Sequence, residues 1–271
     1  MIALPPGESK ERELTWLDWS LPAAMSMDGK RVLFSESGEG GGAGYSVYLR
    51  GTDGSPAVRL GEGSGQDLSA DGEWALAVVH PTSDPQIVLY PTRAGEPKLL
   101  SKEGLSVYAA TFTPDGKQIL FNATEAGHRP RIYLRGVDGG KPRAVAPEGY
   151  EGAFVVPDGK WFVAAGPDRK TYLYPLSGGE PTVVPGLDPG DRVDQVSPDG
   201  RFLYVHRGLE LPARVFRLEI ATGRKELWRS LMPADAAGVN QIGVIPTPNG
   251  DAYVYTFNRI LSDLYLVEGV K

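Results

Sequence analysis

Cysteine is absent from all 271 residues, which excludes disulfides, thiol nucleophiles and thiolate metal sites. Histidine is scarce, with only His80, His128 and His206. These fall in different repeats, so a three-histidine metal centre is not expected. No apolar run approaches the roughly 20 residues of a membrane-spanning helix. Positive charge is in the minority: 28 Lys and Arg against 34 Asp and Glu give a net charge of −6. That balance argues against a phosphate-binding surface, so no nucleic-acid partner is expected, and the lack of a long apolar run argues against membrane insertion. Met1 to Gly7 lacks the basic start and apolar stretch of a signal peptide, so any export is expected to need an upstream segment.

Glycine and proline, in contrast, are abundant, at 35 and 23. Many fall in Asp28-Gly29-Lys30, Asp71-Gly72-Glu73, Asp115-Gly116-Lys117, Asp158-Gly159-Lys160, Asp199-Gly200-Arg201 and Asn249-Gly250-Asp251, or in similar turns. The glycines of these six are separated by 43, 44, 43, 41 and 50 residues. A period of this size marks a repeat architecture. Within one period, Gln118 to Ala123 is a short apolar run. Arg131 to Gly136 alternates, Asp138-Gly139-Gly140 closes a hairpin, and Pro142 to Ala146 and Gly152 to Val156 follow. Four short strands per unit of about 40 to 45 residues describe a propeller blade.

The expected fold class is all-β: a six-bladed β-propeller of four-stranded blades. The last blade is short at its C-terminal end, where Leu264 to Val267 is its last apolar run. The N-terminal strand Arg12 to Leu17 is expected to complete it, because closure removes exposed sheet edge. One domain over 1–271 is expected, with 1–11 as a flexible lead, monomeric when isolated.

Ser197-Pro198-Asp199-Gly200-Arg201 and its relatives at 113–117 and 156–160 resemble the repeat of TolB-type propellers. The segment from Tyr253-Val254-Tyr255 through Leu261 to Gly269 is similar to the C-terminal end of bacterial membrane-anchored serine/threonine kinases and related regulators. There, the resemblance implies, a propeller follows a cytoplasmic kinase or DNA-binding part and a membrane helix. It would then be an extracytoplasmic (periplasmic) sensor or protein-interaction domain of a larger signalling protein. No Gly-rich loop followed by a strand Lys, and no His-Arg-Asp segment, is present.

Most candidate sites have a structural explanation. The turn aspartates are expected to accept backbone N–H bonds instead of holding calcium. Gly38 to Gly44 matches a nucleotide fingerprint only in its letters, since a strand follows instead of a helix. His128-Arg129-Pro130-Arg131 is read as a solvated basic loop. Most of the five tryptophans are expected to pack between blades; for Trp19, beside Asp18 where the chain enters the first blade, the alternative is an exposed anchor.

The favoured positions are on the innermost strands, lining a central channel: Gln66, Asp67, Asp194, Gln195, Asn240 and Gln241. The matching places Ala23, Ala24, Ala110, Thr111, Ala153 and Phe154 leave the ring only partly polar. A non-catalytic binding or scaffold module without a cofactor is therefore expected, taking a protein or small-molecule ligand on a ring face or in the channel. The alternative is a lactonase-like hydrolase with calcium at the channel mouth, which requires convergent oxygen ligands. A further option is the propeller cap of a peptidase.

Overall fold

A computed structural model describes residues 1–17, 19–38, 41, 44–79, 85–100 and 104–261, with only the backbone of residue 153. His80, the stretch Leu264 to Val267, and 39–40 and 42–43 of the glycine-rich loop lie outside the described residues. The described chain contains 24 strands in six antiparallel sheets of four. Among the described residues no helix is long and apolar enough to cross a membrane.

Blade 1 comprises Trp19–Met25, Arg31–Ser37, Ser46–Gly51 and Val58–Glu62, running from the centre outward. Blades 2 to 5 repeat this order from the inner strands Ser64–Leu68, Ser106–Phe112, Glu151–Val155 and Asp191–Val196. Each inner strand touches the next, and Val239–Pro246 of blade 6 touches Trp19–Met25, so the ring closes.

The sixth blade joins the two ends of the chain. Tyr253–Arg259 pairs inward with Val239–Pro246 and outward with Ile2–Leu4, which pairs in turn with Arg12–Glu13. Closure from the N-terminus is thus as the sequence indicates, but it uses two short strands. The first of them lies within the segment expected to be a flexible lead. Ile2 faces Tyr255 and Leu4 faces Tyr253. Glu11 accepts hydrogen bonds from the hydroxyls of Tyr253 and Tyr255, at 2.7 and 3.2 Å. Arg12–Glu13, Lys98–Leu99 and Thr182–Val183 are outer strands of two residues each, short enough to offer little edge for pairing.

The apolar core is divided among the six seams between neighbouring blades. The 6–1 seam, for example, buries Met1, Ala3 and Leu14 with Met25, Phe34 and Val254. This division explains the composition of the second strands. Residues 32–36 and 119–123 are buried without interruption because a blade covers each face of the sheet. Stacked rings, such as Phe34 on Tyr48 and Phe121 on Tyr133 with centroids 5.6 Å apart, lock adjacent strands.

Each inner hairpin is set by its Asp-Gly turn. All six glycines have φ between 67° and 73°, where a side chain meets the backbone. In blade 3 the Thr113 hydroxyl donates to Asp115 at 2.7 Å, and Asp115 accepts the Lys117 N–H at 3.0 Å. Thr113 Oγ1 in turn accepts the Gln118 N–H at 3.0 Å. Ser26, Ser69 and Ser197 repeat the clip with Asp28, Asp71 and Asp199. The carboxyls of these four turn aspartates are held below their ordinary range, chiefly by the hydroxyl.

Two of these glycines differ in their surroundings. A Cβ on Gly116 would meet nothing within 4 Å, whereas one on Gly29 would lie 2.9 Å from the Ala252 Cβ across the 6–1 seam. Gly116→Ala should therefore cost only the left-handed backbone, roughly 1–2 kcal/mol. Gly29→Ala should cost about 1–3 kcal/mol more through overpacking. Urea denaturation of both variants checks this; equal losses would mean that the seam yields.

Candidate functional site

Counting back from each turn glycine locates the channel wall. Residues six and five places before it line one central cavity of about 500 Å³: Ala23 and Ala24, Gln66 and Asp67, Ala110 and Thr111, Asp194 and Gln195, and Val244 and Ile245, with Phe154 from blade 4. Met27, Ala70, Pro114, Pro157 and Pro248, from the turns themselves, form its rim on the Asp-Gly face. Met27 is 50% exposed there.

Four of the six favoured channel residues, Gln66, Asp67, Asp194 and Gln195, are thereby brought together in the wall. Asn240 and Gln241 are not part of it. They begin an inner strand of eight residues, ten and nine places before Gly250, and Val244 and Ile245 take their place in the wall. The ring is more apolar than expected as a result.

A β-bulge at Ala23, Gln66 and Asp194 adds one unpaired residue to its strand and re-aims the side chains beside it. The Asp67 carboxylate faces the 2–3 seam. One oxygen accepts the Leu68 N–H at 2.8 Å; the other accepts the Thr111 hydroxyl at 2.6 Å and the Phe112 N–H at 2.9 Å. Burial raises its pKa, and these hydrogen bonds only partly oppose that.

Asp194 lies three blades away, on the opposite side of the ring. Its carboxylate receives His206 Nδ1 at 2.7 Å, and the two side chains are 7% and 3% exposed. Burial pushes Asp194 up to about 6, against the hydrogen bond and charge of His206. For His206, burial pulls the pKa down, but the hydrogen bond to Asp194 and its charge outweigh burial and leave the pKa raised. The Ile242 backbone acts in the same direction and Arg192 against it. His206 Nε2 is buried without a hydrogen-bond partner.

Sequence reading missed the Asp194–His206 pair, although it left a signal. The two residues stand six places before and six places after Gly200, on the two arms of one hairpin. Elsewhere, His128 contacts Glu148 at 2.8 Å on an exposed loop. Trp74, Trp161 and Trp228 pack against seams as expected. Trp16 and Trp19 do not; they are 37% and 56% exposed. Leu17 and Trp19 donate their N–H groups to the fully buried Glu36, which fixes this corner of blade 1 from beneath.

Among the described residues, no group of three or more His, Asp or Glu side chains could hold a metal.

No family model matches the chain and no curated protein sequence matches it. Solved structures do. A putative TolB from Agrobacterium tumefaciens is 20% identical, with a TM-score of 0.70 over 96% of this chain and 98% of that one. TolB from Acinetobacter baumannii is also 20% identical, with a TM-score of 0.65 over 84% of this chain; the match spans 63% of that protein. An oligogalacturonate lyase in complex with manganese is 15% identical, with a TM-score of 0.60 over 84% of this chain and 68% of that one. The chain thus has the six-bladed propeller fold of TolB, and the same fold also occurs in an enzyme.

The pair of Asp194 and His206 can be tested directly. Wild-type His206 should titrate above 6.5 by NMR. In Asp194→Asn it should titrate below 6.5, because burial is then the largest influence remaining. Both native pKa values are raised, so at these two groups the native state holds more protons than the unfolded chain. The contribution of the pair to stability should therefore fall as pH rises from about 4 through the native pKa of His206. An unchanged His206 titration in Asp194→Asn would show that the carboxylate does not set it.

Proposed function

We propose that the chain is a non-catalytic binding propeller that recognises a partner through the central cavity and its rim on the Asp-Gly face. The observation that carries this reading is the cavity itself: about 500 Å³, walled by inner strands of all six blades and mostly apolar. This combination, an apolar concavity with a few fixed polar groups on a rigid frame, suits recognition. The polar groups in the wall, the half-buried Asp67 and Asp194 and the buried Asn122, already hold hydrogen bonds within the protein. They are thus suited to shaping and charging the site more than to turning over a substrate.

A sensor or protein-interaction domain of a larger bacterial signalling protein, working outside the cytoplasm, is the finer form of this reading. It is supported by the resemblance of the repeats and of the C-terminal segment. The reading treats the whole chain as one domain. The lactonase-like alternative is not favoured, because Asp67 and Asp194 stand on opposite blades.

Two measurements test the proposal. Peptides selected from a random display library on the immobilised chain should lose at least tenfold in affinity on Met27→Glu, which places a charge on the exposed rim. Binders indifferent to that change would move recognition off the Asp-Gly face. Calcium at 100 times its dissociation constant would stabilise a real site by about 2.7 kcal/mol. Thermal melts with calcium and with chelator should superimpose, and an upward shift with calcium would overturn the metal-free reading.

A further inference from the structure

The charge in the cavity wall is one-sided. Among the described residues, the wall contains two carboxylates, Asp67 and Asp194, and no Lys, Arg or His side chain. The basic residues that follow four of the turns, Lys30, Lys117, Lys160 and Arg201, directly precede the second strands and are not part of the wall. The two carboxylates are not equivalent. Asp194 has His206 as its partner at 2.7 Å, so its charge can be balanced within the protein. Asp67 has three neutral donors, Leu68 N–H, Phe112 N–H and the Thr111 hydroxyl, and no cation contributes to its electrostatics.

A carboxylate withdrawn from water without a countercharge is unfavourable, and a cation brought beside it relieves that cost. The surroundings leave room for one. Asp67 is flanked in the ring by Ala23 and Ala24 of blade 1 and Ala110 of blade 3, all small and all in the wall. Farther along stand Phe112 and Phe154, whose ring faces attract cations, and Val155, Val244 and Ile245, which suit an alkyl chain. An anionic ligand would be repelled, and a neutral one would leave Asp67 uncompensated.

We propose that the cavity binds an alkylammonium group, with its nitrogen at Asp67 and its chain along the apolar wall. This rests on the cavity being the recognition site. The same chemistry is offered by a lysine side chain of a partner protein and by a free alkylamine. Hexylammonium, hexanol and N-acetyl-lysine N-methylamide, titrated calorimetrically at pH 7.5, separate these cases, since an alkylamine is protonated there.

Hexylammonium should bind at least tenfold more tightly than hexanol. That preference should disappear in Asp67→Asn and persist in Asp194→Asn, whose carboxylate already has its partner. A lysine derivative that matches hexylammonium would assign the cation to a protein partner; binding of hexylammonium alone would assign it to a free amine. Hexanol binding as tightly as hexylammonium would overturn the proposal while leaving the cavity an apolar recognition site. Absence of binding by all three probes would also overturn it, and the peptide selection would then judge the rim independently. Asp67 accepts three hydrogen bonds, so Asp67→Asn can fail to fold; the wild-type preference for ammonium over alcohol then decides alone.

Discussion

The Gly turn that opens each blade, clipped by a hydroxyl and a carboxylate in four of the six, is the constraint from which the rest of the structure follows. Glycine at positive φ reverses the chain. The carboxylate fixes the N–H two residues on, and the upstream hydroxyl accepts the first N–H of the returning strand. Register in a strand pair is a two-state choice of face, so a turn fixed this way decides which side chains reach the channel. Blade 4 has Val156 where the others have Ser or Thr, and its Asp158 still accepts the Lys160 N–H at 2.8 Å. The glycine and carboxylate alone suffice there.

The blades are joined by polar contacts as well as apolar seams, and these also follow the turn. Six residues after the glycine, Ser35 and Asn122 accept the N–H of Gly65 and Gly152 in the next blade, at 2.8 and 2.9 Å. His206 is the equivalent residue of blade 5, but its Nδ1 turns back to Asp194 of its own blade. The same position in blades 2, 4 and 6 is Val78, Ala165 and Thr256. Blades 1 and 3 thus extend a polar side chain from this position to their successors. Asp67 joins blade 2 to blade 3 by another route, from the inner strand itself.

Much of this was legible in the sequence. The period gave blade number and class, and the apolar runs gave the second strands, because a sheet covered on both faces has no polar side to display. Ile2–Leu4 was not legible: three residues without a turn signal, paired to Tyr253–Tyr255 some 250 residues away, leave no local trace. In the site, the offset from the glycine located the wall in five blades. It failed in the sixth only because the longer step before Gly250 drew attention to Asn240 and Gln241 at the start of an elongated strand. The corner that carries Trp16 and Trp19 is held by Glu36 beneath it, through contacts across 16 to 19 residues that propensity cannot reveal.

The carboxylates that charge the cavity are also fasteners. Asp67 holds blade 3 to blade 2, and Asp194 holds His206 in the 5–6 seam. A charged group in such a place is unfavourable, and its hydrogen bonds offset only part of the loss of water, so burial leaves the pKa of both raised. A ligand that neutralised Asp67 would remove that penalty at the point where two blades meet, so binding and the rigidity of the ring would rise together. Apolar side chains at the same two places, as at Val244 and Ile245, would give a tighter channel at lower energetic cost. Buried charge held against that cost is what the proposed recognition of a cationic group would use.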